Sequence, residues 1–416
     1  MSNSSQTLPS PTLIAPQALL HWSEAGDAGV ARSARWRSER GAPPPKRVVL
    51  ADDTTSADTA YRLACEGTGL LWRGDFQNAR QMVQALARRI DKPPKASKQA
   101  RVDRRKAADA AVSGVPAGQA FHLHRQAQSQ RARVLGMVLI EFDADYGIAL
   151  RRAPDAKQAC TEAWAPAGEG AGACVASLRE LMGVISAHEW RKKGVEIPAL
   201  GKAPNNRIHP HYGVFSPVRG EYVDLVAKAP LPASRPSKFV AFDIGTGTGV
   251  LAAVLALRDV DQVVATDMDP RALECARENI YRLRLPNPVK VMQADLFPEG
   301  LASVIVCNPP WLPARPGSPL EAAVYDEGSR MLLGFLKGLA AHLAPGGEGW
   351  LILSDFAEHL GLRSRAELLA AIEAGGLRVA GKIDATPDHP KAADESDALH
   401  TARALEVTSL WRLAAV

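Results

Sequence analysis

Two short stretches of this chain carry residue types at spacings that suit chemistry. In Asn308-Pro309-Pro310-Trp311 an amide side chain, two prolines and an indole follow one another, downstream of the loop Asp243-Ile-Gly245-Thr246-Gly247-Thr-Gly249. An amide or exocyclic amine is a weak nucleophile, because its nitrogen lone pair is delocalised into the neighbouring carbonyl or ring. A site that activates such a nitrogen must hold its N–H groups with acceptors whose bonds strengthen as positive charge develops. The side-chain oxygen of Asn308 and the backbone carbonyl of Pro309 are two such acceptors. Pro309 and Pro310 fix their φ angles and preorganise that carbonyl, and Trp311 offers a flat face on which a base or an amide plane stacks. Beside a glycine loop able to hold a nucleoside ligand, this set points to methyl transfer onto a planar nitrogen. The plainer alternative is a proline-stiffened loop with Trp311 in the core.

The glycine loop follows an apolar run and opens a helical pattern, so its backbone can approach a ligand at the carboxyl edge of a sheet. Its spacing is Gly-x-Gly-x-Gly, unlike the Gly-x-Gly-x-x-Gly that seats a pyrophosphate. Asp243 just before the glycines would repel a pyrophosphate and suits a cationic ligand carrying an amino group. Asp267 ends the next expected strand, where a carboxylate can accept hydrogen bonds from both hydroxyls of a ribose. Met268 beside it can cover one face of an adenine, and Asp295-Leu296 ends the third strand, near where the adenine amine would lie. Each acidic residue taken alone can equally be a strand-end carboxylate capping a helix; their recurrence at successive strand ends favours a ligand.

In that order, Asp243 to Gly249, Asp267, Asp295 and Asn308 to Trp311 resemble the successive motifs of class I S-adenosylmethionine (SAM)-dependent methyltransferases. Within that superfamily they are similar to the group holding release-factor glutamine and ribosomal-RNA guanine and adenine methyltransferases. The resemblance covers roughly His211 to Trp411, including His211-Tyr-Gly-Val-Phe215, similar to the entry segment of these enzymes, and does not reach the first 200 residues. It implies a Rossmann-like SAM-binding fold, SAM as cofactor at Asp243, Gly245, Thr246, Gly247, Gly249, Asp267, Met268, Asp295, Leu296 and Asn308, and catalysis by Asn308, Pro309, Pro310 and Trp311. The acceptor it implies is an exocyclic base amine of RNA, ribosomal RNA first. The alternative is the glutamine amide of a translation factor or ribosomal protein. Tryptophan at 311 departs from the tyrosine common in the glutamine and adenine enzymes. DNA as acceptor, and a non-catalytic SAM-binding module, are further readings; intact Asn308 and the paired prolines argue against the second.

The elements that must position these residues can be read from Lys238 onward, where short apolar runs alternate with amphipathic segments. Strands are expected at Phe239–Phe242, Gln262–Ala265, Val289–Gln293, Ser303–Val306, Gly349–Leu353, Leu377–Ile383 and Ala404–Trp411, the last two as an antiparallel hairpin. Helices are expected at Val250–Leu257, Pro270–Leu283, Arg330–Leu343 and Arg365–Ile372, the third stopped by Pro345-Gly346-Gly347. The fold class is α/β, a seven-stranded sheet in a domain over 201–416, preceded by a separate mixed α/β domain over 1–200. In that first half a helix is expected at Asp75–Ile90, another at Ser177–Lys192, and strands at Arg47–Leu50 and Val134–Phe142. Pro166–Gly172 reads as a linker or loop tip and Pro313–Pro319 as a lid. Asp326 or Ser329 reads as the cap of the following helix, and the segment holding His389 and His400 as a solvent-facing loop.

With 416 residues, 46% of them hydrophobic, the chain can bury more than one core. Its formal charge of +5 is mildly basic and compatible with an RNA or ribosomal partner. The basic stretch Lys92, Lys95, Lys98, Arg101, Arg104, Arg105 and Lys106 reads as a solvated helix or tether, or as a nucleic-acid contact. Five scattered cysteines form no Cys-x-x-Cys pair and no metal site, which fits a reducing compartment. Neither a signal peptide nor a membrane-length apolar run is expected, and the expected location is the cytoplasm.

Overall fold

The computed structural model describes residues 18–24, 30–91, 117–166, 172–234, 236–318, 320–386 and 399–416. The chain divides into two compact units: Met1–Lys92 with Ala132–Gln158 and Pro166–Leu181, and Pro93–Arg131 with Ala159–Ala165 and Met182–Val416. The boundary expected at residue 200 falls inside the second unit. The basic stretch from Lys92 to Lys106, most of the Pro166–Gly172 loop and His389 lie outside the described residues.

The first unit is built on a six-stranded sheet of β1 (Leu19–Ser23), β2 (Ala31–Trp36), β3 (Arg47–Ala51), β4 (Thr68–Trp72), β5 (Val138–Phe142) and β6 (Cys174–Ser177), in the order β1-β2-β6-β5-β4-β3. Its helices are α1 (Ala57–Cys65) and α2 (Phe76–Asp91). Strands β3, β4 and β5 run parallel, whereas β6 is antiparallel to β5. Val134 and Leu135, expected to open a strand, instead end the helix α3 (Ala117–Leu135). Asp75 precedes α2 instead of starting it: its buried carboxylate accepts the Gln77 N–H and pairs with Arg151 and Arg152. Next in chain order come α4 (Lys157–Trp164) and α5 (Leu178–Lys193).

The second unit carries a small hairpin, β7 (Val195–Glu196) with β8 (Arg207–Ile208), then α6 (Glu221–Lys228) and the main sheet. Its strands are β9 (Val240–Ile244), β10 (Gln262–Asp267), β11 (Val289–Gln293), β12 (Ala302–Cys307), β13 (Leu343–Ser354), β14 (Leu377–Ala385) and β15 (Thr408–Ala415). The order is β11-β10-β9-β12-β13-β15-β14, seven strands as expected. The last strand pairs with β14 as an antiparallel neighbour, and it also inserts beside β13. Ala404, expected to open this strand, ends the short helix α12 (His400–Ala404) instead, and the strand begins at Thr408.

Both faces of the sheet are covered, so its parallel strands read as continuous apolar runs. Every residue of α7 (Val250–Ala256) is buried, as its Val, Leu and Ala content requires. The next helix, α8 (Pro270–Leu283), is amphipathic, capped by the Asp269 carboxylate on the Arg271 N–H and opened by Pro270. On the other face α9 (Arg330–His342) packs Leu332, Phe335, Leu336 and Leu339 against Phe242, Ile305 and Leu351. Beyond it lie the short α10 (Phe356–His359) and α11 (Arg365–Ala374), the latter started by a capping box of Ser364 and Glu367. Pro345-Gly346-Gly347 does not follow the end of α9 as a loop. The strand already begins at Leu343, paired with Ala302, and the irregular register between Ala302 and Val304 absorbs these residues.

Gly349 lies on β13 under α9, where an added Cβ would overlap the end of the buried Leu339 side chain. Gly349→Ala is therefore expected to destabilise the second unit by about 1–3 kcal/mol through overpacking. Urea denaturation of the two proteins, compared by midpoint, checks this; an unchanged midpoint would mean that the helix yields freely.

Candidate functional site

Strand register brings the expected site together. Ile244, the last residue of β9, lies opposite Thr266 on β10 and Cys307 on β12. Gly245, Asp267 and Asn308 therefore leave the sheet at one level, on three adjacent strands. The order of strands reverses between β9 and β12, the place where open α/β sheets form a ligand crevice. A cleft of about 590 Å³ opens there, lined by Gly245, Gly247, Asp267, Asp295, Asn308 and Trp311 among others.

The loop is fixed from below. Gly245 and Thr246 both donate their N–H to Thr266 O, at 2.9 and 2.8 Å. Gly247 has φ +55°, open space on the side a Cβ would occupy, and an N–H that donates to Asp267 Oδ2 at 3.0 Å. Gly249 caps α7 with φ +82°, and a Cβ there would press to 3.2 Å from Ala276 Cα on α8. Its role is close helix packing, and it does not line the cleft.

Asp243 also stands apart from its expected place at the ligand. It is 1% exposed and absent from the cleft lining. Its Oδ2 accepts from Thr246 Oγ1 at 2.6 Å and from the Ala252 N–H at 3.0 Å, tying the loop to the first turns of α7. Burial pushes its carboxyl up to about 7. The early position in the motif looks like a ligand contact in sequence, but the side chain points into the fold.

Asp267 lines the cleft and accepts from the Asp269 N–H through Oδ1 at 2.9 Å, besides the Gly247 bond. Burial raises its pKa as well. Neither Asp243 nor Asp267 pairs with a basic side chain among the described residues. Met268 and Asp295 form the next wall with Arg330, whose Nη2 meets Asp295 Oδ2 at 2.7 Å and whose Nη1 lies 3.9 Å from Met268 Sδ. Leu296 adopts φ +71°, uncommon for a branched side chain, while the Thr266 hydroxyl donates to its carbonyl at 2.6 Å. Open glycine backbone, a carboxylate with spare lone pairs and an apolar wall suit the ribose and adenine of SAM.

At the other end, the Trp311 indole N–H donates to Asn308 Oδ1 at 2.9 Å. An amide oxygen has two lone pairs, so the bond orients Asn308 and leaves one acceptor position open. Trp311 is half-buried and packs against the apolar clusters on both faces of the sheet. Gly213, Val214 and Phe215 of the expected entry segment line the same cleft, and His211 anchors that segment through Nε2 to Glu278 Oε2 at 3.0 Å. Asp326 caps α9, accepting from the Met331 N–H at 2.8 Å. Within Pro313–Pro319, the described residues 313–318 do not line the cleft, whereas the following Ala322 to Tyr325 do. The Tyr325 ring is covered by Arg125 of α3, with Cζ 4.0 Å from the ring centroid.

Sequence reasoning missed Arg219, Phe356, Arg403 and Glu406, which also line the cleft. Arg219 and Glu406 come from loops, Phe356 and Arg403 from the short helices α10 and α12, far apart in the chain and from no motif. His400 is not among the lining residues.

Residues 205–359 match the family described as Methyltransferase small domain. A tRNA1(Val) (adenine(37)-N6)-methyltransferase of Shewanella amazonensis is 30% identical over 174 residues, covering 38% of this chain and 73% of that protein. A ribosomal protein L11 methyltransferase of Chelativorans sp. is 33% identical over 138 residues, covering 33% of this chain and 41% of that protein. A release factor glutamine methyltransferase of Moorella thermoacetica is 37% identical over 135 residues, covering 31% of this chain and 48% of that protein. The chain thus spans less than half the length of these last two relatives.

The raised pKa of Asp243 carries a pH dependence. An aspartate of ordinary value 3.8 that titrates near 7 when folded holds its proton in the folded state where the unfolded chain has lost it. Its contribution to stability is full below about pH 4 and is lost as pH rises through about 7. In Asp243→Asn that dependence should vanish, so the variant gains on the wild type as pH rises from 4 to 7. Urea unfolding of both cofactor-free proteins across this range checks the prediction; a stability difference independent of pH would contradict it.

Proposed function

The chain belongs to the class I SAM-dependent methyltransferases, and on that premise we propose that it methylates a planar amino or amide nitrogen, with an exocyclic base amine of RNA favoured. The observation that carries this reading is the Asn308–Trp311 hydrogen bond, which holds an amide acceptor beside an aromatic face in the same cleft as the glycine loop. When bound, SAM supplies a methyl group on a sulfonium, activated for transfer. The residues of the chain do the rest. Gly245, Thr246 and Gly247 seat the cofactor through backbone, with Gly249 setting the helix behind them. Asp267 holds the ribose, and Met268, Asp295 and Leu296 hold the adenine. Asp243 acts indirectly, by bracing the loop.

Asn308 Oδ1 and the Pro309 carbonyl accept the two N–H groups of the target and keep its lone pair aimed at the methyl. These bonds strengthen as positive charge grows on the nitrogen, and Pro309 and Pro310 hold the second acceptor without a reorganisation cost. No side-chain base is needed before transfer, because the methylated nitrogen becomes acidic enough to release its proton to water. Trp311 stacks the acceptor plane.

The basic balance of the chain and its large additional unit support an RNA acceptor, ribosomal RNA first, as does the relative named for tRNA adenine. The relatives named for release factor and ribosomal protein L11 support a protein acceptor as the second reading, a glutamine amide by the pocket's chemistry. Either acceptor belongs to translation and so to the cytoplasm. No helix among the described residues is long and apolar enough to cross a membrane.

Asn308→Ala should lower methyl transfer by about a hundredfold or more, the scale seen when one preorganised polar group is removed from the transition state, with SAM affinity nearly unchanged. Asp267→Ala should instead weaken SAM binding by about tenfold or more, since it removes a charged acceptor from the loop and the ligand. Transfer of labelled methyl into a lysate lacking the native enzyme, with the product split between nuclease and protease, reads both the rate and the acceptor. Normal turnover by Asn308→Ala would overturn the pocket assignment.

A further inference from the structure

The acceptor end of the cleft holds polar groups that methyl transfer alone does not require. Arg219 stands over the Trp311 ring with Cζ 5.9 Å from its centroid, and its Nη1 donates to Glu406 Oε1 at 3.2 Å. The same Oε1 accepts from Ser354 Oγ at 2.9 Å, and the Ser354 hydroxyl oxygen accepts from the Phe356 N–H at 3.0 Å. Glu406 is only 4% exposed, yet it lines the cleft with Arg219 and Trp311. Both donors fall on Oε1, and Oε2 takes none from the described residues. A carboxylate this deeply buried is costly unless its remaining acceptor positions find donors. A chain of contacts thus runs from Asn308 through Trp311 and Arg219 to Glu406, ending in a carboxylate oxygen and a guanidinium side by side.

The geometry points to a guanine as the acceptor base, with Glu406 and Arg219 as the residues that select it; this rests on the N-methyltransferase reading above. The target amine goes to Asn308 and Pro309, so what distinguishes acceptors is the atom next to that amine. In adenine the 6-amino group is flanked by the acceptors N1 and N7, in cytosine the 4-amino group by the acceptor N3, and in glutamine the amide nitrogen by its own carbonyl. A carboxylate oxygen repels each of these. In guanine the 2-amino group is followed by N1–H, a donor, and then by O6, an acceptor. That order matches Glu406 followed by Arg219: Oε2 accepts from N1–H and the guanidinium donates to O6. Trp311 supplies the stacking face, as in enzymes that read an extruded base by its pairing edge.

The test measures equilibrium binding of GMP, IMP and AMP to the full chain saturated with S-adenosylhomocysteine, for wild type and Glu406→Gln. IMP keeps N1–H and O6 but lacks the 2-amino group, so it isolates the edge that this pair would read. GMP and IMP should each bind about tenfold or more tighter than AMP, the discrimination expected of one good edge contact. Glu406→Gln should erase that preference, and its S-adenosylhomocysteine affinity reports that the fold is kept. AMP binding as tightly as GMP, no nucleotide binding at all, or a preference that survives in Glu406→Gln would each overturn the inference. Nucleoside analysis of methylated RNA separates the two levels. Label in N2-methylguanosine agrees with the pair's role, whereas label in N6-methyladenosine or in protein glutamine overturns it and leaves the N-methyltransferase reading intact. Undiminished transfer by Asn308→Ala would overturn that broader reading instead.

Discussion

The site depends first on a carboxyl group that never reaches the ligand. Asp243 is sealed under the glycine loop and joins Thr246 on the loop to Ala252 in the helix behind it. With no basic partner among the described residues, its burial favours the protonated form, and its two hydrogen bonds offset part of that cost. The loop is held as a rigid insert between strand and helix, so Gly247 can offer its N–H to Asp267 from a backbone conformation that other residues reach only with strain. The position of Asp267, and through it of one end of the cleft, follows from that brace.

The other end is organised by stacking instead of burial. Trp311 takes two jobs that in a smaller ring would be separate: its edge orients Asn308, and its face carries the Arg219 guanidinium. Guanidinium on indole is a favourable contact, worth about 0.5–2 kcal/mol depending on how far it is desolvated. Here the pair is anchored further by Glu406 and Ser354 at the carboxyl end of β13. Tryptophan at 311 is therefore coherent with the neighbours it has in this chain. It shapes the surroundings of Asn308 and leaves its acceptor chemistry in place.

How far the sequence could be read follows from how local each signal is. The glycine loop, Asp267 and Asn308 were legible because each sits at a strand end, and seven apolar runs marked those ends. Asp243 was misplaced because its chemistry suits a cationic ligand equally well whether it points outward or inward, and only packing decides. The β15 insertion was beyond reach, since a short strand says nothing of which neighbours it takes. Pro345-Gly346-Gly347 reads as a stop, yet pairing of Leu343 with Ala302 starts a strand before it. The first unit resisted because four of its six strands went unrecognised, and the apolar end of α3 looked like the start of β5. Arg219 and Glu406 meet only through tertiary structure, across 187 residues of chain.

The place of β15 in the sheet makes the two ends of the cleft depend on different strand pairings. Among the described residues strand β14 joins the sheet only through β15, while β9, β10, β11 and β12 pair among themselves without either. The strands that carry the glycine loop, Asp267 and Asn308 are therefore held by pairings of their own. The wall containing Glu406, at the entrance to β15, rests instead on the pairing of β15 with β13. A change that loosens the final segment would accordingly disturb the Glu406 wall before it reaches the glycine loop.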